Sequence, residues 1–480
     1  MTFVSDLKPR ELWQHFDQIL TIPRGSKNEA AIRKYVISIA DKNGLSCRQD
    51  GAGNLVVLKP GAPGRETDPV LILQSHLDMV NEKNADVNHD FDKDPIRPHR
   101  EGDFVKATGT TLGADNGIGV ATQLAVLESP DIVHGPLELL FTVDEETGLT
   151  GAAALEPGFL KGTRMLNLDT EEEGAIYVGC AGGAGVDLLL ILDWEPPGSE
   201  RLTFQVHLAG LKGGHSGVDI HRQRGNAIKI LARALAALQT PFRLAGIRGG
   251  NMRNAIPREA TARVTIPRLQ EPAFREQLNL TLAETAAEVR VADPEMNWDF
   301  NQVETPDVVL TATSSETAID LLNALPHGVT TMSYEIPELV ETSGNVATAQ
   351  MRDGRLEIHV SNRSSVASAL QALCEQVTSI GRLAGASVTT GEAYPGWQPN
   401  LDSELLRIAQ RVYQKIRNEA ARVKAVHGGL ECGLIGETFP GMDMVSIGPQ
   451  IEFPHSPDEC VKIDSVAEFW EILVAILEDV

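Results

Sequence analysis

The chain has 480 residues, 42% of them hydrophobic and 22% charged, and its 42 Lys+Arg against 66 Asp+Glu leave a net charge of −24. That balance excludes the clustered Lys and Arg on which nucleic-acid and anionic-membrane binding depend, and the apolar fraction excludes a disordered acidic chain. Five cysteines (Cys47, Cys180, Cys374, Cys432, Cys460), odd in number and never in C-x-x-C spacing, exclude a disulfide framework and a cysteine zinc knuckle and point to a reduced, cytoplasmic protein. At about 150 residues per domain, roughly three folding units are expected. The opening MTFVSDLKPRELWQHF is charged and lacks the apolar middle of a signal peptide. Ser5 and Ser26 are predicted N-caps of helices over 6–20 and 27–43, the second closed by Gly44. Strands follow at Asn54–Leu58, Val70–Gln74, Leu137–Val143 and Met165–Leu168, with a helix at Ile118–Glu128 between them. Strands alternating with helices predict an α/β layer with a largely parallel sheet. The polar stretch 81–110 is long enough to read as a flap over a site.

GCAGGAG at 179–185 is followed by the strand VDLLLIL rather than a helix, so it reads as an interdomain hinge and not a dinucleotide loop. That strand is the longest apolar run; Asp187 interrupts it, and no window approaches the about 18 apolar residues of a membrane span. Beyond it the element order β-α-β-β-α-β occurs twice. The first pass has strand Thr203–His207, helix Ala227–Leu238, hairpin 241–266, helix 271–287 and strand Glu288–Ala292. The second has a strand near 308–311, helix Glu316–Leu322, strands around 329–336 and 355–361, helix Ser365–Leu383 and strand Ser387–Thr390. That order is the split unit of ferredoxin-like folds. From Tyr394 the first pattern resumes with helix 402–419, strand Met444–Ile447 and helix 465–478. The predicted fold is an α/β catalytic domain (1–184 plus 393–480; mixed, mostly parallel sheet flanked by helices). An α+β lid domain of two ferredoxin-like halves (185–392; halves about 200–297 and 298–392) is inserted in it.

Chemistry-bearing residues gather after the apolar strands. His76 and Asp78 of LILQSHLDMV are two apart and share a face. Asp115 lies in the glycine turn TLGADNG; Asp144, Glu145 and Glu146 end ELLFTVDEETG; Asp169 ends RMLNLD; His455 sits in EFPHSPDE. Ligand sites in open α/β sheets lie beyond the carboxyl ends of strands. A single Asp there is most often a helix cap, and DEE alone is a surface charge run. Five such places of one ligand chemistry in one domain argue otherwise. His89, His99, His134 and His359 have polar neighbours and read as surface residues. Histidine and carboxylate without cysteine suit zinc, manganese or cobalt. In two-metal sites a bridging ligand holds ions about 3.5–4 Å apart and a water is activated between them.

The series H-L-D, G-A-D-N-G, D-E-E-T-G, N-L-D and F-P-H-S-P resembles the co-catalytic zinc peptidases related to peptidase T, aminoacylase and carboxypeptidase G. HDFDKDPI, GLKGGHSG, GGNMRNAIPRE, YPGWQPN and HGGLECG are similar to the aminoacyl-histidine (Xaa-His) dipeptidase branch, and the resemblance runs over essentially the whole chain. It implies two Zn2+ per chain, with Co2+ or Mn2+ as substitutes. His76, Asp115 and Asp169 would hold one; Asp115, Glu146 and His455 would hold the other. It makes Glu145 the general base beside a metal-bridged hydroxide and Asp78 the carboxylate that orients His76. In the lid, His215 of GGHSG would stabilise the oxyanion, while Asn254 and Arg363 would grip the substrate, Arg363 at its carboxylate. Glu431 of HGGLECG would meet the ammonium or serve as a structural carboxylate.

The implied activity is hydrolysis of short zwitterionic dipeptides, Xaa-His and β-alanyl-histidine among them. Two alternatives stand beside it: an N-acyl amino acid deacylase on the same scaffold, and a non-catalytic binding protein, against which an intact Glu145 and full ligand set argue. In shorter relatives with a single lid unit, the lid histidine and asparagine resemble parts supplied by a neighbouring subunit, while the carboxylate-binding Arg comes from the chain's own lid. Here His215 and Asn254 lie in the first half of the insertion and Arg363 in the second, as in a fused pseudo-dimer. His215 is therefore expected to serve its own chain, with a homodimer not required for catalysis.

Overall fold

The computed structural model describes Val4 and residues 6–480; Ser5 lies outside them. The chain divides into two compact units. One comprises Met1–Cys180, Trp397–Ala425 and Leu430–Val480, the other Ala181–Gly396 and Val426–Gly429. Among the described residues no helix is long and apolar enough to cross a membrane, and all five cysteines are free.

The first unit is built on an eight-stranded sheet in the order 46–49, 55–59, 137–142, 71–76, 164–167, 443–446, 175–180, 422–426. Four central strands, Leu137–Thr142, Leu71–His76, Arg164–Asn167 and Asp443–Ser446, run parallel, and antiparallel strands flank them. Leu71–His76 and Leu137–Thr142 are buried at every position, as strands covered on both faces must be. The helix Ala114–Glu128 is buried along nearly its whole length, and the amphipathic helix Arg10–Ile19 buries Leu12, Trp13, Phe16 and Ile19. Pro9 precedes that helix, and the next runs Ala30–Lys42 with no side-chain cap. Ser26, expected as its cap, instead donates its hydroxyl to Asp78 at 2.8 Å. The stretch 81–110 contains a hairpin, Pro98–Glu101 with Phe104–Ala107, whose second strand pairs with Cys460–Lys462. It is therefore anchored to the segment following His455.

The second unit carries one antiparallel nine-stranded sheet, whose main order is 297–303, 201–209, 260–267, 243–249, 340–352, 355–364, 182–191, 387–390. The first four strands have the spatial order of a β-α-β-β-α-β unit, fourth-first-third-second; the last four repeat it in mirror order. The halves meet edge to edge where Arg248 pairs with Gln350 and Gly249 with Ala349, which removes two exposed strand edges. The halves are also nested, unlike the predicted tandem. The first strand of the second half is Gly182–Ile191, paired with Arg355–Ser364, and the whole first half is inserted after it. The strand expected near 308–311 is only Val309–Leu310, which pairs with Trp194–Glu195 outside the sheet. The fourth strand of the first half is Asn297–Val303; residues 288–289 still belong to the helix Glu271–Val289. Periodicity cannot reveal which distant strand an element pairs with.

The glycines at 182, 183 and 185 open the strand Gly182–Ile191 and avoid the left-handed region. They are small because neighbours lie against bare backbone. A Cβ at Gly183 would stand 2.5 Å from the Tyr394 hydroxyl, and one at Gly185 would stand 2.6 Å from the His359 ring.

Candidate metal centre

The carboxyl ends of the parallel strands deliver the acidic residues. His76 is the last residue of its strand and lies in register with Thr142; Asp144, Glu145 and Glu146 follow Thr142, and Asp169 follows Asn167. Asp115 enters from the start of the helix Ala114–Glu128. Gly113 before it is left-handed at φ 73, and a Cβ there would meet Arg24 Nη2 at 2.5 Å and Met79 Sδ at 2.7 Å. His455 is itself left-handed at φ 60, an uncommon conformation for a non-glycine residue and one that clusters at functional sites.

Asp115 stands between two histidines. His76 Nε2 lies 3.1 Å from Asp115 Oδ1 and 3.3 Å from Asp169 Oδ1. His455 Nε2 lies 3.1 Å from Asp115 Oδ2 and 3.1 Å from Glu146 Oε2. Each nitrogen thus faces two carboxylate oxygens while having at most one proton to give. His76, Asp115 and Asp169 form one group of donor atoms mutually within 4.8 Å; Asp115, Glu146 and His455 form a second; His76, Glu145 and Glu146 form a third. Burial raises the Glu146 and Asp169 carboxyls, and Asp115 pushes both further up. Burial likewise lifts Glu145 well above the usual carboxylate range, with Asp169, Glu431 and Glu146 adding to it. Hydrogen bonds to Asp115 and Glu146 drive His455 up to about 11. Glu146 Oε1 is buried without a hydrogen-bond partner. Crowded buried carboxylates sharing two imidazoles fit divalent cations: oxygen and nitrogen donors, no sulfur, and more negative charge than the protein neutralises.

Asp78 lies beneath this group, fully buried. Its oxygens accept the N–H groups of Glu145 at 3.0 Å and Glu146 at 3.1 Å. His76 Nδ1 is 3.4 Å from Asp78 Oδ1, an ion-pair distance without a well-formed hydrogen bond. Asp144 points elsewhere: its carboxylate accepts the hydroxyls of Thr147 and Thr150 and shapes the turn. Glu431 is 1% exposed, with Oε2 accepting from Gln74 at 2.6 Å and Thr142 at 2.7 Å and Oε1 without a partner. Gln74 accepts from Asn167 in turn at 2.5 Å.

In the second unit, His215 lies on a two-residue strand paired with Ala255–Ile256, next to Asn254, whose carbonyl accepts the Ser216 N–H. The N–H groups of Gly217 and Val218 donate to His215 Nδ1 at 3.3 and 3.2 Å. The neutral ring therefore carries its proton on Nε2. Burial lowers its pKa, and the charge of Arg363 lowers it further. Arg363 is 8% exposed and donates from Nη1 to the Tyr394 hydroxyl at 2.8 Å. Ser343 lies across the strands from Arg363 and hydrogen-bonds His427 at 2.7 Å. His427 is buried, pulled down to about 3 by burial and Arg363, and hence neutral.

Residue-type reasoning missed Tyr394, His427, Arg24, Glu171 and Glu459. Glu171 is raised well above its usual range by burial and by Asp115 and Asp169; the acidic run Glu171–Glu173 was its only signal. Three of the four histidines read as surface residues are buried. His134 Nδ1 is 2.6 Å from the Gly135 carbonyl, His359 Nδ1 is 2.8 Å from Asp187, and His89 packs edge-on against Phe91. His134 and His89 find their partners close in the chain and His359 finds its partner across paired strands; His99 is exposed.

The chain is 43% identical to the cytosol non-specific dipeptidase of Escherichia coli (strain K12), with 100% of this chain and 99% of the relative covered. The crystal structure of aminoacylhistidine dipeptidase from Vibrio alginolyticus is similar with a TM-score of 0.92 and 44% identity, covering 99% of this chain and 98% of that one. Aminopeptidase PepT from Bacillus cereus ATCC 10987 shares the fold, with a TM-score of 0.59 and 18% identity over 98% of this chain and 99% of that one. Residues 72–479 match the profile of peptidase family M20/M25/M40, and the chain belongs to that family of metal-dependent peptidases.

Proposed function

We propose that this chain is a cytosolic dipeptidase that works with two divalent cations. The observation that carries the reading is Asp115, whose two oxygens each face a different histidine–carboxylate pair. His76, Asp115 and Asp169 would hold one cation; Asp115, Glu146 and His455 would hold the other. The donor set favours zinc, with cobalt or manganese as substitutes. Bound cations supply Lewis-acid polarisation of the peptide carbonyl and acidify the attacking water.

The chain's own residues do the rest. Glu145, held with a high proton affinity by burial, takes the proton from the attacking water and returns it to the leaving amine. Glu145 and Glu146 diverge because Asp78 pins both their N–H groups, leaving one side chain for the base role and the other for ligation. The Nε2–H of His215 donates to the oxyanion, with its tautomer set by Gly217 and Val218. Arg363 pairs with the substrate carboxylate, steadied by Tyr394, and Asn254 holds the backbone beside it. Glu431 Oε1 is the acceptor we assign to the ammonium. Substrates would be short and zwitterionic, with Xaa-His and β-alanyl-histidine among them, in keeping with the names of the Vibrio and Escherichia relatives.

The test is metal analysis together with a substrate panel: dipeptides including β-alanyl-histidine, their N-acetylated forms, and tripeptides. Two ions per chain and cleavage of free dipeptides alone are expected. Fast cleavage of N-acetylated substrates would favour a deacylase, and tripeptides cleaved as fast as dipeptides would remove the two-ended recognition.

A further inference from the structure

We propose that Arg24 and Glu459 are positioning residues that hold Asp115 in its bridging place through the backbone, one from the carbonyl side and one from the amide side. The inference rests on the two-cation reading above.

Glu459 is 2% exposed, and its carboxylate spans four consecutive backbone N–H groups. Oε2 accepts from Leu112 at 2.8 Å and Gly113 at 2.9 Å. Oε1 accepts from Ala114 at 2.7 Å and Asp115 at 3.3 Å. The latter two lie in the turn ahead of the regular helix, since Asp115 and Asn116 depart from helical φ/ψ, and their N–H groups have no helical partner. Their acceptor comes from 344 residues further along the chain. It comes from the segment that carries His455.

Arg24 grips the other side of the same turn. Also 2% exposed, it donates from Nη1 to the carbonyls of Leu77 at 3.1 Å and Asp78 at 2.7 Å. Its Nη2 donates to the carbonyl of Gly113. Three ligand-bearing segments, 76–78, 113–115 and 455–459, are thereby joined at the Gly113–Asp115 turn. Only a planar fork reaches carbonyls on two loops at once, and only a carboxylate presents two acceptor oxygens to four amides. Neither side chain needs to touch a cation to act. Glutamine at 459 would turn one acceptor into a donor facing N–H groups and release one side of the turn. The two oxygens of Asp115 would then no longer face His76 and His455 together.

The experiment titrates Zn2+ into the metal-free full chain against a chromogenic chelator, reading stoichiometry and affinity for wild type, Glu459→Gln, Glu459→Asp and Arg24→Lys. Thermal unfolding of the metal-free forms is followed alongside. For Glu459→Gln the affinity of at least one of two ions should fall about 10- to 100-fold, the range for residues that orient metal ligands. Glu459→Asp, which keeps the charge, should recover part of the loss. If Glu459→Gln does not fold, Arg24→Lys carries the same expectation. Wild type binding fewer than two ions would defeat the two-cation reading itself. Wild type binding two, with folded variants matching its affinities, would overturn this inference alone. So would a lowered unfolding temperature with unchanged affinities, the mark of a merely structural role.

Discussion

The carboxylate of Asp78 accepts the backbone N–H of Glu145 at 3.0 Å, and its other oxygen accepts that of Glu146 at 3.1 Å. One buried side chain thus sets the turn from which the proposed base and the proposed ligand diverge, while standing 3.4 Å from the imidazole of His76. Its proximity to His76 and those N–H groups hold its pKa down to about 2 against the cost of burial. Asp78→Asn keeps the volume but places an amide NH2 against an N–H. A buried donor left unpaired costs about 1–3 kcal/mol. We expect weaker metal binding and a lower kcat together, measured by chelator competition and steady-state kinetics. Wild-type values for both would show that Asp78 orients nothing.

Glu145 and Glu146 should separate cleanly. Glu145→Gln cannot accept a proton and should lower kcat by about 10²–10⁴-fold with metal content unchanged, as for loss of a general base. Glu146→Gln should lose one ion. If metal analysis shows the reverse, the two roles are exchanged.

Tyr394 reaches Arg363 across a bare backbone at Gly183. Tyr394→Phe removes only the hydroxyl, whereas Gly183→Ala pushes the ring aside. A hydrogen bond to a charged group is worth about 1.5–3 kcal/mol. Both variants should therefore raise KM for dipeptides about tenfold, leaving kcat and metal content near wild type. A fall in kcat at unchanged KM would take Arg363 out of substrate binding.

The candidate cluster was legible because the polar chemistry is local: His76 ends an apolar strand, and Glu145, Glu146 and Asp169 lie within a few residues beyond the next ones. The nesting of the second unit was not, since the partner of Arg355–Ser364 lies at Gly182–Ile191 with the whole first half between them. Side chains acting through backbone were equally hidden. Glu459 and Arg24 carry no spacing signal, because the amides and carbonyls they engage look alike in every sequence. The glycines at 182, 183 and 185 lie beside the boundary between the two units, where an interdomain segment was expected, but their close approach to Tyr394 and His359 was hidden, because only knowing the neighbour reveals it.

Glu431 offers a pH test. Burial pushes its carboxyl up to about 8, against about 4.3 in an unfolded chain. A carboxyl with a raised folded pKa favours folding while protonated. Its contribution is whole below about pH 4.3 and is lost as pH rises toward 8, by at most about 1.4 kcal/mol per pH unit. In the metal-free chain, Glu431→Gln should fall less steeply than wild type between pH 5 and pH 8 and be the more stable at pH 8, by urea denaturation. Parallel curves would show that Glu431 does not titrate in this window.

His215 belongs to the first half of the second unit and Arg363 to the second half, yet the Arg363 charge is felt at the His215 ring. The halves are joined by backbone pairing at Arg248–Gln350 and Gly249–Ala349, so one chain supplies both residues to one sheet. In an assembly where the histidine crossed between subunits, each half would come from a different chain. We therefore expect His215 to serve the metal centre of its own chain, and catalysis not to depend on a dimer. Mixing His215→Ala with Glu145→Gln under conditions that exchange subunits tests this, because each variant lacks what the other retains. If His215 acts in its own chain, no mixed assembly contains a complete set of residues and the mixture stays inactive. If it acts across chains, a hybrid pairs the intact His215 of one chain with the intact Glu145 of the other, and activity returns. Recovered activity in the mixture would end the single-chain reading.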